Sequence, residues 1–183
     1  MSIVSVASCA HHAWIASSIT MCKRLADEIG NNSEWRVHTP INAEGLKMAL
    51  ANSDYFIMHT HGTAKGLFDY RADHSGGTIA TLEEIQKFPR FPRLKMIFIT
   101  ACKAAERIEG DNVASALSRL IAADGLVIAN RYTVWGSDYD FYARDYKRGW
   151  VGYQGGRQIL TENDIPPSIT SADAYRIFAK LGR

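Results

Sequence analysis

Two stretches decide the fold: Asp54-Tyr-Phe-Ile-Met-His-Thr-His61-Gly62 and Leu94-Lys-Met-Ile-Phe-Ile-Thr-Ala-Cys102. Each is a short apolar run rich in β-branched and aromatic residues, the length and composition of a strand buried on both faces. Each ends in a residue that can do chemistry.

Working outward, Ile3–Ala7 is a β-branched run that suits a first buried strand. Ala13–Ile29 places Trp14, Ile15, Ile19, Cys22, Leu25, Ala26 and Ile29 at helical spacing, and Gly30-Asn31-Asn32 stops the helix. Trp35–His38 reads as a second strand ended by Pro40, and Asn42–Ala51 as a second amphipathic helix. Gly66–Gly77 is polar and glycine-containing, suited to a hairpin or surface excursion, and Thr81-Leu-Glu-Glu opens a short helix ending near Phe88-Pro89.

Beyond Cys102, Asp111–Ala122 is expected to be a helix with Asp111 as its N-cap. Leu126–Ala129 is another buried strand. Tyr132–Gly156 mixes extended pieces and loops, with Trp150–Tyr153 as its clearest strand, and Ser171–Leu181 is a closing helix capped by Ser171. The chain has no internal repeat, low-complexity tract or linker, so residues 1–183 read as one domain.

Strands alternating with helices predict an α/β fold, a mostly parallel sheet covered by helices on both faces. Right-handed crossovers put the C-terminal ends of its strands on one edge, where functional groups collect. His61 and Cys102 both lie just past such an end. Neighbouring strands are about 4.8 Å apart, so the two side chains would meet if their strands are adjacent.

Composition excludes several classes. The 21 basic and 19 acidic residues leave a net charge of +2 and form no basic block, so neither nucleic acid nor an anionic membrane surface is an expected partner. No apolar run approaches the length of a membrane span. The N-terminal MSIVSVASCAHHAW has no leading basic region and is interrupted by histidines, which does not make a signal peptide. Three irregularly spaced cysteines make no disulfide framework. A soluble protein of a reducing, cytoplasmic compartment is the expectation.

A thiol with an ordinary pKa of about 8.5 is mostly protonated at neutral pH, and an imidazole beside it can take that proton. Cys102 as nucleophile and His61 as base are thus a candidate catalytic pair, with the backbone N–H groups of Gly62 and Cys102 as oxyanion donors. A cysteine at a strand end is ordinarily a small buried hydrophobe, and a His-Gly ordinarily a turn. Both together at one sheet edge favour function.

At these residues the chain resembles the caspase-like cysteine peptidases, which include caspases, gingipains, clostripain and the CHAT-domain proteases. Their shared pattern is an apolar strand leading into His-Gly and a later one leading into Ala-Cys or Gly-Cys. The resemblance spans roughly residues 1–130 and is closest to bacterial CHAT-like or minimal caspase-like domains. It implies a caspase-like three-layer sandwich and a cysteine endopeptidase acting through a thioester acyl-enzyme. It further implies His61 as general base, Cys102 as nucleophile, a peptide or protein substrate, a possible regulatory protein partner and no cofactor. The caspase pattern Gln-Ala-Cys-Arg/Gln/Gly-Gly is here Thr100-Ala101-Cys102-Lys103-Ala104. Thr100 replaces a substrate-binding glutamine, so selection for aspartate is not expected. The alternative is a catalytically inactive domain of the same fold that binds or signals.

Other candidates are weaker on their own chemistry. His59 would share a strand face with His61 and serve as a decoy or supporting group. Cys9, His11 and His12 lack a second ligand pair at zinc-site spacing, so no metal is expected. Cys22 is expected in the core. Substrate contacts are expected from Thr100, from Trp135 as a pocket floor, and from Asp138 and Asp140 as partners for a basic side chain. Arg131 and Arg144 would oppose that preference if either points inward.

Overall fold

The computed structural model describes every residue except 41, 71–75, 138–139, 144–147 and 183. In chain order the elements begin β1 (Ser2–Ser8), α1 (His12–Ile29), β2 (Ser33–His38), α2 (Ala43–Ala51), β3 (Tyr55–His59), β4 (His61–Thr63), β5 (Gly66–Tyr70) and β6 (Gly76–Thr81). They continue α3 (Leu82–Gln86), β7 (Met96–Ile99), α4 (Val113–Leu120), β8 (Leu126–Asn130), β9 (Val134–Ser137) and β10 (Asp140–Ala143). The last are β11 (Trp150–Gln154), β12 (Arg157–Leu160), β13 (Ser168–Ile169) and α5 (Ser171–Lys180).

The fold is mixed α/β around a seven-stranded sheet in the order β12-β11-β8-β7-β3-β1-β2. The run from β2 to β8 is parallel, and β11 and β12 extend it antiparallel. Alternation along the strands divides the apolar residues between two cores. On one face Val4, Val6, Ile57, Phe98 and Ile128 pack with Met21 and Leu25 of α1 and Phe178 of α5. On the other, Phe56, Met58, Ile97, Ile99 and Val127 pack with α2, α3 and α4 through Leu46, Ile85 and Leu117. Helices therefore cover both faces, as expected for near-continuous apolar strands. No helix among the described residues is long and apolar enough to cross a membrane.

β3 and β7 are direct neighbours, in register from Tyr55 opposite Met96 to Met58 opposite Ile99. This adjacency brings the ends of the two deciding stretches together. Two small antiparallel sheets, β4-β5-β6 and β13-β10-β9, complete the fold.

Two expected helix caps are corrected by one residue each. Asn112 rather than Asp111 caps α4, its side chain accepting from Ser115 N–H while the Ser115 hydroxyl accepts from Asn112 N–H. Asp111 instead pairs with Arg119. Thr170 rather than Ser171 caps α5, through a capping box with Asp173. The Ser171 hydroxyl donates across to Met21 O.

Candidate active site

The turn carrying Cys102 is fastened at both ends. Thr100 N–H and the Thr100 hydroxyl each donate to Met58 O at 2.9 Å, tying the end of β7 to β3. Lys103 N–H donates to Tyr132 O at 2.9 Å and Ala105 N–H to Asn130 O at 3.0 Å, tying the turn to the end of β8. Immediately after Cys102, Lys103 has φ 54°, the one non-glycine among the described residues in the left-handed region. That conformation costs on the order of 1 kcal/mol for a side-chain-bearing residue. Such strain persists where surrounding structure holds it, commonly at functional sites.

His61 arrives differently from the sequence expectation. β3 ends at His59, Thr60 breaks the strand, and His61 begins β4, which leaves the main sheet and pairs with β5. The two histidines are thus not neighbours on one strand face. Their rings nevertheless meet Trp14, His59 stacked at 4.5 Å between centroids and His61 tilted at 4.8 Å. Gly62 then passes hard against the Cys102 turn. A Cβ there would lie 2.7 Å from Ala101 Cβ and 3.2 Å from Cys102 O.

Cys102 and His61 line one pocket of about 440 Å³ at the C-terminal edge of the parallel strands. Trp14 of α1, Phe141 of β10 and Trp135 of β9 supply its aromatic walls. The Cys102 thiol lies 3.9 Å from Val134 O. The three thiols differ sharply in environment: Cys9 and Cys22 are buried, and Cys102 is half-buried. Burial pushes the Cys22 thiol up to about 12, so it stays protonated. Burial also lowers His61, with the Asp69 carboxylate opposing it. A lowered imidazole is neutral at pH 7, the form that accepts a proton.

His59 is only 7% exposed yet reaches the same pocket. Its Nδ1 is 2.8 Å from Ser18 Oγ, whose hydroxyl donates to Ser8 Oγ at 2.8 Å, and the Ser8 hydroxyl donates to Cys9 O at 3.1 Å. Each hydroxyl has one proton to give. With both committed, Ser18 accepts from Nδ1–H, and the imidazole's lone pair resides on Nε2. Burial, with a smaller contribution from His61, pushes His59 down to about 4.

This burial predicts acid sensitivity. The unfolded chain takes up a proton at His59 near the ordinary pKa of about 6.5, whereas the folded chain resists until about 4. Stability is therefore retained above about pH 6.5 and lost as pH falls towards 4, by roughly 3 kcal/mol at most from this group. Urea midpoints at pH 7 and 4.5 should show the loss, and His59→Phe should shrink it. An equal loss in the variant would assign it to other groups.

The remaining sequence candidates scatter. Thr100 lines the pocket, but its hydroxyl is engaged with Met58 O. Trp135, 54% exposed, is a wall at the mouth rather than a floor. Asp140 is not among the pocket-lining residues and faces Arg24 at 4.0 Å. Arg131 is turned away, pairing with Glu162 and donating to Gln158 Oε1 at 2.6 Å. Asp138 and Arg144 lie outside the described residues. No cluster of three or more His, Cys, Asp or Glu among the described residues is arranged to hold a metal ion.

Trp14, Ser18 and Phe141 were not anticipated. Trp14 and Ser18 are four residues apart on α1 and so share a helix face, but nothing in that spacing says that the face looks onto the sheet edge. The sequence matches no family model and no curated protein.

Proposed function

We propose that the chain is a caspase-like cysteine endopeptidase with Cys102 as nucleophile and His61 as general base. The observation that carries this reading is their convergence: from the ends of two adjacent parallel strands, both side chains border one pocket, with Gly62 packed against the Cys102 turn.

The chemistry follows from these positions. Neutral His61 takes the Cys102 proton, and the thiolate attacks the carbonyl carbon of the scissile amide. The developing oxyanion is met by the backbone N–H groups of Gly62 and Cys102. As the C–N bond breaks, His61 returns the proton to the leaving amine and a thioester remains. A water deprotonated by His61 then attacks the thioester, releasing the acid and restoring the thiol. The turn's hydrogen bonds to β3 and β8 hold the sulfur in place throughout.

The test is a digest of a complex peptide mixture, read by mass spectrometry for new termini. Termini that require both Cys102 and His61 support the reading. A digest indistinguishable from that of Cys102→Ala would leave a binding domain without catalysis.

A further inference from the structure

We propose that the pocket beside Cys102 selects, on the acyl side of the scissile bond, an uncharged aromatic side chain that donates a hydrogen bond, tyrosine above all, with His59 Nε2 as acceptor. This rests on the acyl-transfer reading of Cys102 and names its substrate class.

Three observations converge on it. First, no Asp, Glu, Lys or Arg is among the described residues lining the pocket, and the nearby Arg131 and Asp140 are directed to Glu162 and Arg24. A charged side chain entering there would lose its hydration without gaining a counter-ion. Second, the walls are aromatic: Trp14 and Phe141 pack against His59, and Trp135 stands exposed at the mouth. Flat rings suit such walls through stacked and edge-to-face contact. Third, a nearly buried polar group at the pocket, His59, is an acceptor. The chain Cys9 O–Ser8–Ser18 holds the proton of His59 on Nδ1 and leaves the Nε2 lone pair for the cavity. Burial keeps that ring neutral at physiological pH. An acceptor so placed is left unsatisfied by phenylalanine and satisfied by a phenol.

Peptidyl acyloxymethyl ketones identical except for the side chain next to the warhead test this directly. The Cys102 thiolate displaces the acyloxy group: a C–S bond forms, the carboxylate leaves, and the thiol proton passes to His61. Labelling rates are read by intact mass, with Cys102 confirmed by peptide mapping. The tyrosine probe should label at least about tenfold faster than the aspartate and lysine probes, and at least about fivefold faster than phenylalanine. His59→Phe should erase the tyrosine-over-phenylalanine ratio, and Ser18→Ala, which frees the tautomer, should lower it. The wild-type ratios decide the matter even if a variant fails to fold. Aspartate or lysine as fast as tyrosine, or phenylalanine as fast, overturns the proposal while leaving acyl transfer intact. If no probe labels while iodoacetamide still alkylates Cys102, the acyl-transfer reading itself fails, and the proposal with it.

Discussion

Cys102→Ala should lower peptide turnover by at least about 10³-fold, to background, while the melting temperature should stay within a few degrees of wild type. The side chain is half-buried at a cavity wall, so its removal deletes the proposed nucleophile without opening a hole in either core. His61→Ala should cost a comparable factor. The double variant should be no worse than either single one, because a nucleophile and its base act as a unit. Cys9→Ala and Cys22→Ala provide the contrast: both thiols are buried, so these variants should lose stability and keep turnover. Initial rates and melting curves for the five proteins check the set. Turnover surviving in Cys102→Ala would show that the wrong thiol has been chosen.

Gly62→Ala is the second large effect, and its origin is steric. The added methyl would sit 2.7 Å from Ala101 Cβ, and Ala101 is fully buried with no flexible end to swing away. Strand β4 must move outward, carrying His61 with it, or the Cys102 turn must yield against its bonds to β3 and β8. A misplacement of about 1 Å between reacting groups costs on the order of 10²-fold in rate. The overpacking itself costs about 1–3 kcal/mol of stability. The informative measurement is kcat on protein shown to be folded. Full activity in Gly62→Ala would mean that the spacing between β4 and the Cys102 turn does not matter to the chemistry.

The sheet was legible because its strands are buried on both faces. Residues such as Ile57, Phe98 and Val127 leave little choice but a strand under helices, and helical periodicity marked α1, α2 and α5 equally well. That Cys102 and His61 border one pocket was legible for the same reason, since strand ends at one edge converge by topology. Less could be read where local signals are short. The change of strand at Thr60 spans a single residue between two histidines, and no periodicity can report it. β9, β10 and β13 are two to four residues long and are held by pairing with one another, a long-range property. The pocket walls depended on those elements, so Trp135 moved from floor to mouth and Asp140 turned to Arg24. The Ser8–Ser18–His59 chain joins β1, α1 and β3, and serine spacing carries no trace of it.

The packing of α5 on α1 sets an order of events during synthesis. Ser171 bonds to Met21 O across 150 positions, and Arg176 pairs with Glu28, the penultimate residue of α1. The core beneath α1 also includes Phe178. A nascent chain that has already exposed β1, β3, β7 and the Cys102 turn to solvent therefore still lacks part of the cover over Met21 and Leu25. Contacts so distant in sequence close late, because the loop entropy must be overcome before they contribute. Helix α5 must emerge from the ribosome before this core is sealed, and until then the partly made sheet presents an apolar face to which chaperones can bind.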